Sequence, residues 1–295
     1  SSGVGTTKAW RASFWNLASF DYINSYARRD KPRLEFNDVR LWEASGLPMT
    51  RIDEQHIPRS LIRNHDFKER MSEKMACRTL IWVVLKTLYF VFLNDQDSAG
   101  CVGNGVYHGH TESFHWHQID QHLNDWYGAL PNTFETCLRI SNPSQRSIDP
   151  MPQPPSPFAT APTATIPFPQ LFYTSSMGAT ALLLYHFTRI LVLLNKPPDD
   201  PRRQTGVGRL QWHRRFSQQI NHHAEEICGI AIGRPQPGVQ IHLVQPLYLA
   251  GLCLDSDERK VVLADLLVGV QRRTGYSTEW RVIKLKEEWG WVDNP

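Results

Sequence analysis

Two long apolar stretches limit what this chain of 295 residues can fold into. They are residues 80–93 and 181–194, each 14 residues long, and both carry ionisable side chains: Lys86 in the first, His186 and Arg189 in the second. A membrane-spanning helix needs about 20 consecutive apolar residues, so each stretch is shorter than a typical span. We therefore expect two buried helices of a soluble globular protein and no membrane partner.

Apolar residues elsewhere recur with the period of an α-helix. Residues three and four apart lie on one face of a helix, whereas a half-buried strand alternates. Two such stripes are Trp116, Ile119, Leu123, Trp126 and Ile220, Ala224, Ile227, Ala231. An N-terminal segment is crowded with Phe14, Trp15, Leu17, Phe20, Tyr22, Ile23 and Tyr26, which indicates an interior helix. Clear alternating strands with hairpin signals are absent, so the predicted fold class is all-α, a large multi-helix bundle.

Residues 254–274 carry helix start and stop signals. Asp255, followed by Glu258 three residues later, matches an Asp-type capping box, and Gly275 suits the position after the last turn. Ser277 is predicted to cap the final helix. The apolar face predicted for the first of these helices is Val262, Leu266 and Val270.

Proline is concentrated in residues 141–169, which hold nine of the 20 prolines. Proline lacks a backbone N–H and restricts the residue before it, so this stretch can be neither a helix nor a central strand. We predict a long extended loop that interrupts a single helical domain over residues 1–295.

Composition excludes several classes of protein. The five cysteines are dispersed with no CxxC pair, which is typical of a reducing compartment and argues against a disulfide framework or a structural zinc site. The net charge of +3 is too small to imply nucleic-acid binding by bulk charge, so we expect no specific DNA binding by this chain alone. The start SSGVGTTKAW has neither a Met nor the apolar core of a signal peptide, as expected if Ser1 is a fragment boundary.

Catalytic and metal-binding motifs are missing from the sequence. There is no GxSxG, GxxxxGK[ST] or HExxH motif and no GxGxxG after a strand. Five histidines fall within 15 residues: His108, His110, His115, His117 and His122. If a helix begins near Ser113, one helix cannot converge the three or four ligands that zinc needs. We predict no metal and no cofactor, although a metal site formed by His108 and His110 folding back from a loop is the alternative.

Polar side chains within or beside the predicted apolar helices are the best candidates for a ligand site. Tyr185 and His186 interrupt one apolar helix, and His223 precedes the apolar face of another. Such residues usually only hydrogen-bond within the core, but pockets recruit them as well. We predict ligand binding by Trp116, Tyr185, His186 and His223. If the chain is an enzyme, Tyr185, His186 and His223 are the candidates for catalytic proton transfer.

From Trp116 onward, several segments follow one another in an order that is similar to a known family. They are WHQIDQHLNDWYGALPNTF (116–134), IPFPQLFYTSSMGATALLLYHFTRILVLLNKP (166–197), INHHAEEICGIAIG (220–233), VQPLYLAGLCL (244–254) and DERKVVLADLLVGVQRRTGYSTEWRVIKLKEEWGW (257–291). They resemble the C-terminal regulatory region of fungal zinc binuclear cluster transcription factors, the fungal-specific transcription factor domain. Residues 9–36 fit more loosely the helix that precedes this region in the family.

The resemblance implies an all-helical regulatory domain that modulates a separate DNA-binding module. The chain departs from the family in its cysteines, since the binuclear cluster needs six that are closely spaced. It is either the regulatory fragment of a longer factor, hence nuclear, or a stand-alone relative, hence cytoplasmic, whose pocket acts as an enzyme on an apolar secondary metabolite. Such an enzyme would use cofactor-independent acid–base or cyclisation chemistry. The expected partners are a small apolar molecule, the rest of a transcription factor or a co-regulator, with a homodimer as one option.

Overall fold

A computed structural model describes residues 7–52, 55–62, 70–98, 105–141, 166–196 and 206–291, with the backbone alone for 94–98 and 105–114. The helices are α1 (Lys8–Arg28), α2 (Val39–Ala44), α3 (Glu73–Ser98), α4 (Gly105–Gly128), α5 (Ser176–Leu194), α6 (Gly206–Ile232), α7 (Pro237–Gln240), α8 (Val244–Leu252), α9 (Asp257–Thr274) and α10 (Glu279–Glu288). Helices make up most of these ranges, which confirms the all-α multi-helix fold. Of the predicted Pro-rich loop, residues 142–165 lie outside the described residues.

Helix α5 lies at the centre of the bundle. The Ser175 hydroxyl accepts a hydrogen bond from the Gly178 N–H and so caps its first turn. Side chains are buried around nearly the whole circumference of α5, which packs against α3, α4, α6 and α8. A helix that is apolar on all sides is stable only in such an interior position.

The apolar parts of α3 and α5 are longer than the two 14-residue stretches. Residues Glu73–Leu93 and Ser176–Leu194 form 21 and 19 residues of helix, long and apolar enough to cross a membrane by length and composition. Their length therefore does not exclude a membrane span, but the prediction that both stretches form buried helices is confirmed. Most of each helix is buried inside the protein, as in the core helix of a bundle.

Three buried tryptophans donate hydrogen bonds from their indole N–H groups to backbone carbonyls of neighbouring segments. The indole N–H of Trp42 donates to the Glu35 carbonyl at 2.9 Å, and that of Trp126 donates to Ala76 at 2.8 Å. Trp82 donates in the same way to the Phe36 carbonyl at 3.0 Å. All three side chains are fully buried, so each indole fills the core while its polar atom is satisfied.

Two short antiparallel strand pairs, which the sequence did not reveal, lie beside the helices. Strand β1 (Met49–Ile52) pairs with β2 (Gln55–Pro58), with Thr50 opposite Ile57. Strand β3 (Leu138–Ile140) pairs with β4 (Gln170–Phe172), with Arg139 opposite Leu171. Strands of three or four residues are too short to produce a recognisable alternation.

The two predicted helix caps are each displaced by one residue. Helix α9 has Ser256 at its N-cap and no side-chain cap, so the capping box at Asp255 is wrong. The N-cap of α10 is Thr278 instead of Ser277, and the buried Thr278 hydroxyl makes no capping bond but donates to the Leu267 carbonyl at 2.8 Å. The buried face of α9 is Leu263, Leu267 and Val270. Gly275, in the left-handed region at φ 72°, ends α9 as predicted.

Two other helices differ from the prediction. Helix α4 begins at Gly105, so His108 and His110 lie within this helix and not on a loop. Helix α1 is not interior on all sides, since Leu17 and Phe20 are more than half exposed while Phe14 and its neighbours are buried.

Candidate functional site

A pocket of about 540 Å³ opens between α4, α5 and α6. Its size lies within the range of small-molecule sites. The lining residues are Trp116, Asp120, Asn124, Tyr185, Arg189, Leu193, Lys196, Trp212, Arg215, Phe216, Gln219 and His223. Three of the four predicted ligand residues, Trp116, Tyr185 and His223, are among them. We refer to this site as the α4–α5–α6 pocket.

Arg189 links α4 to α5 on one side of the pocket. Its Nε donates to the Tyr185 hydroxyl at 3.0 Å and its Nη1 to an Asp120 carboxylate oxygen at 2.6 Å. Its Nη2 donates to the side-chain oxygen of Asn124. Asp120 and Asn124 are one turn apart on α4, as are Tyr185 and Arg189 on α5, so each pair shares a helix face. Three bonds from one planar guanidinium hold these side chains in a fixed arrangement.

Aromatic rings form another part of the lining. Trp212 and Phe216 are one turn apart on α6 and stack with their centroids 4.9 Å apart and their planes 11° from parallel. The Lys196 ammonium lies 5.7 Å from the centroid of the Trp116 ring and 5.8 Å from that of Trp212. The Trp116 indole N–H donates to the Val192 carbonyl at 2.6 Å, which fixes its ring against α5. The pocket therefore combines flat apolar faces with a cation between two of them.

Positive charge exceeds negative charge in the lining. Arg189, Lys196 and Arg215 are cations, whereas Asp120 is the one carboxylate among the described lining residues, and it is paired with Arg189. Arg215 is exposed and makes no ion pair or hydrogen bond with any other described residue. In the sequence, Arg189 interrupts an apolar stretch and Arg215 belongs to a short basic cluster with Arg214 that is typical of a solvated helix end, so neither was predicted to line the site.

His186 lies behind the pocket wall. It is 7% exposed and does not line the pocket, but its Nδ1 lies 2.8 Å from Nδ1 of His223, which does. Burial lowers the pKa of His223 to about 3, with help from neighbouring His222 and Arg189, and lowers the pKa of His186 well below its ordinary value. Both rings are thus neutral at physiological pH, and one Nδ1–H donates to the other Nδ1. The role of His186 as a ligand residue stays a prediction.

The three candidate catalytic residues are poorly matched to proton transfer. A general base works best with a pKa near the operating pH, and burial moves the pKa of His186 and His223 far below it. Burial also raises the pKa of Tyr185, which therefore remains a neutral phenol. These groups offer hydrogen bonds and shape, which suits binding better than acid–base catalysis.

Two histidines of α4, His115 and His122, face α3. His115 stacks on Phe90 at 4.1 Å between centroids, and His122 lies 5.8 Å from Trp82. Thus His115 and His122 share a face as predicted, whereas His117 is exposed. No three His, Cys, Asp or Glu side chains converge to hold a metal ion in the part of the chain that the structure describes. The side chains of His108 and His110 lie outside that part.

Lys86 is buried in the same α3–α4 contact. Its ammonium donates to the Gln118 side-chain oxygen at 2.7 Å and lies 5.2 Å from the Trp82 ring. Lys86 forms no ion pair with a described residue, and burial lowers its pKa to about 7. A buried amine without a counter-ion destabilises the fold.

Replacing this amine should therefore stabilise the protein. Lys86→Met is expected to raise the free energy of unfolding at neutral pH by about 1–3 kcal/mol. Between about pH 7 and pH 10 the unfolded wild-type chain binds a proton that the folded protein does not, so stability rises with pH, and the variant should lack this rise. Urea unfolding at several pH values measures both effects. The matched control is Lys74→Met, on an exposed position of α3, which should leave both unchanged. A destabilised Lys86→Met would contradict this reading.

The sequence is similar to that of a fungal transcription activator. It is 28% identical over 291 residues to transcription activator AMTR1 of Alternaria alternata, and the match covers 96% of this chain and 36% of that protein. The chain thus spans about a third of the length of this curated relative. No protein-family model matches the chain. No solved structure matches it either.

Proposed function

We propose that this chain is a regulatory region of a fungal transcription activator and responds to a small molecule held in the α4–α5–α6 pocket. The similarity to AMTR1 carries the proposal, because it extends over nearly the whole chain. Since the chain corresponds to about a third of that activator, we propose that it acts together with other regions, including a DNA-binding module. The proposal includes membership of the fungal-specific transcription factor domain family and a nuclear location.

The pocket suggests how such a region would respond. Apart from Lys196, its lining comes from three helices, α4, α5 and α6, and the Arg189 bonds join the first two. A ligand that contacts all three helices binds most tightly to one arrangement of them. It therefore shifts the population towards that arrangement, and this change is what a neighbouring region would detect. The enzyme alternative is not favoured, since the lowered pKa values of His186 and His223 make them weak bases and the raised pKa of Tyr185 makes it a weak acid.

A reporter assay tests the regulatory role. The full 295-residue chain is fused to a heterologous DNA-binding domain and expressed in a fungal host that carries the matching reporter gene. We expect the fusion to change transcription relative to the DNA-binding domain alone. A fusion of an unrelated helical domain, at the same protein level, is the control. Output equal to that of the DNA-binding domain alone, with the fusion intact and in the nucleus, would contradict the proposal.

A further inference from the structure

We infer that the α4–α5–α6 pocket takes a planar aromatic carboxylate, and not the small apolar molecule predicted from the sequence. This inference rests on the proposed function, because it names the class of ligand to which the region would respond. Three properties of the lining carry it: the flat rings, the excess of positive charge and the supply of unused hydrogen-bond donors.

The rings favour a flat ligand. Trp212 and Phe216 lie nearly parallel and so form a continuous aromatic surface on α6. The ring of Trp116, on α4, borders the same pocket and is held in place by its bond to Val192. Aromatic rings prefer offset-stacked or edge-on partners, so rigid rings on two helices fit a planar conjugated molecule better than a flexible alkyl chain.

The charge favours an anion. A cationic ligand would meet the exposed Arg215 guanidinium, which has no ion-pair partner among the described residues, while Asp120, the one carboxylate among the described lining residues, is already paired with Arg189. A neutral ligand would displace water from the Arg215 guanidinium without supplying a counter-charge. A ligand carboxylate instead forms charge-assisted hydrogen bonds, which are the stronger kind, and the Arg215 guanidinium can grip both of its oxygens.

The hydrogen-bond donors that remain available in the pocket also favour an anion. The Tyr185 hydroxyl accepts a hydrogen bond from Arg189, which leaves its own O–H to donate. The Trp212 indole N–H makes no hydrogen bond with any other described residue, and Arg215 has all of its N–H groups available. Asp120 and Asn124, which could accept from a ligand, each already use an oxygen to bind Arg189. A site with mainly donors to offer selects a ligand whose polar group accepts.

Three anthracene probes of the same shape separate these contributions. They are anthracene-9-carboxylate, the neutral carboxamide and the cationic 9-(aminomethyl)anthracene, titrated into the full chain and followed by energy transfer from tryptophan. We expect the carboxylate to bind at least about ten-fold more tightly than the carboxamide, because hydrogen bonds to a charged group are worth more than neutral ones. The amine is expected to bind most weakly.

Substitutions on α6 test which residues account for the binding of the probes. Arg215→Gln should weaken carboxylate binding about five-fold or more and leave the carboxamide unchanged, since it removes a charge and keeps a polar side chain. Arg214→Gln is the matched control: it changes the adjacent exposed arginine, which does not line the pocket. Trp212→Ala should weaken both probes, because it removes the stacking surface.

The outcomes separate this inference from the proposed function. The inference is overturned, whatever the reporter assay gives, by any of three results: equal affinity for carboxylate and carboxamide, unchanged affinity of the Arg215→Gln variant for the carboxylate, or no binding of any probe. If the carboxylate binds as expected but the fusion does not alter transcription, the ligand class stands and the regulatory role fails.

Discussion

Lowering the pH from about 7.5 to about 5 is expected to reduce the free energy of unfolding by about 4–8 kcal/mol. The reason is a set of buried neutral histidines. Burial lowers the pKa of His122 and His223 to about 3 and that of His242 to about 4, and it lowers the pKa of His186 as well. In an unfolded chain a histidine has a pKa near 6.5.

The direction of the effect follows from proton uptake. Between about pH 6.5 and about pH 3 the unfolded chain binds protons that the folded protein does not, so stability is full above this interval and falls with the pH within it. At about pH 5 each of the three histidines whose pKa lies at about 3 or 4 accounts for about 2 kcal/mol. A loss of this size is comparable with the whole stability of a typical domain.

Urea unfolding at a series of pH values measures the loss. His122→Phe removes one buried titrating ring next to Trp82. At about pH 5 the variant should take up about one proton fewer on unfolding than the wild type, so its free energy of unfolding should fall less steeply as the pH is lowered. His213→Gln, at an exposed position of α6, serves as the matched control and should behave like the wild type. A free energy of unfolding that stays constant down to about pH 5 would show that these histidines can be protonated in the folded protein.

Among glycine-to-alanine substitutions in the region where α6 meets β4, Gly233→Ala is expected to destabilise the protein most. A Cβ at this position would overlap the backbone carbonyl oxygen of the buried Leu171 on β4. Backbone atoms on both sides cannot give way as a side chain can, so the end of α6 and β4 must separate. We expect a loss of at least about 3 kcal/mol and a fall of several degrees in Tm.

Two other glycines provide a graded comparison. At Gly229 a Cβ would lie 2.9 Å from the side chain of Leu171 and 3.0 Å from the backbone carbonyl oxygen of Pro169, milder overlaps than the one at Gly233, so Gly229→Ala should cost less. At Gly238 no atom lies within 4 Å of the added methyl group, and Gly238→Ala should change the stability little. Thermal unfolding of the three variants tests the order. A Tm for Gly233→Ala equal to that for Gly238→Ala would mean that α6 and β4 are not in close contact.

The sequence predicted the helices well because burial leaves a periodic trace. The stripe Ile119, Leu123 and Trp126 is buried on α4, and the stripe from Ile220 to Ala231 is buried on α6. Caps were predicted less well, since tertiary contacts decide them. The hydroxyl of Thr278 bonds across to the Leu267 carbonyl, a partner 11 residues away that no local pattern reveals.

The candidate site was predicted in part for a similar reason. Tyr185 and His223 stood out because they are polar groups beside apolar helix faces, and Trp116 because it begins a helical stripe. Arg215 gave no such signal, since it lies on an exposed, polar segment of α6 and joins the pocket only through the packing of α6 on α5. The ligand class depends on Arg215 and Trp212, so it could be inferred only from the arrangement in space.

Transcription driven by substituted fusions tests the central claim most directly, namely that the α4–α5–α6 pocket controls the output of this region. Trp212→Ala and Arg215→Gln alter the pocket, whereas His213→Gln and Arg214→Gln alter exposed neighbours on the same helix that do not line it. At equal protein levels, the account predicts that the first two variants lose the change in transcription that the unsubstituted fusion produces and that the other two keep it. Pocket variants that drive the same transcription as the unsubstituted fusion would contradict it.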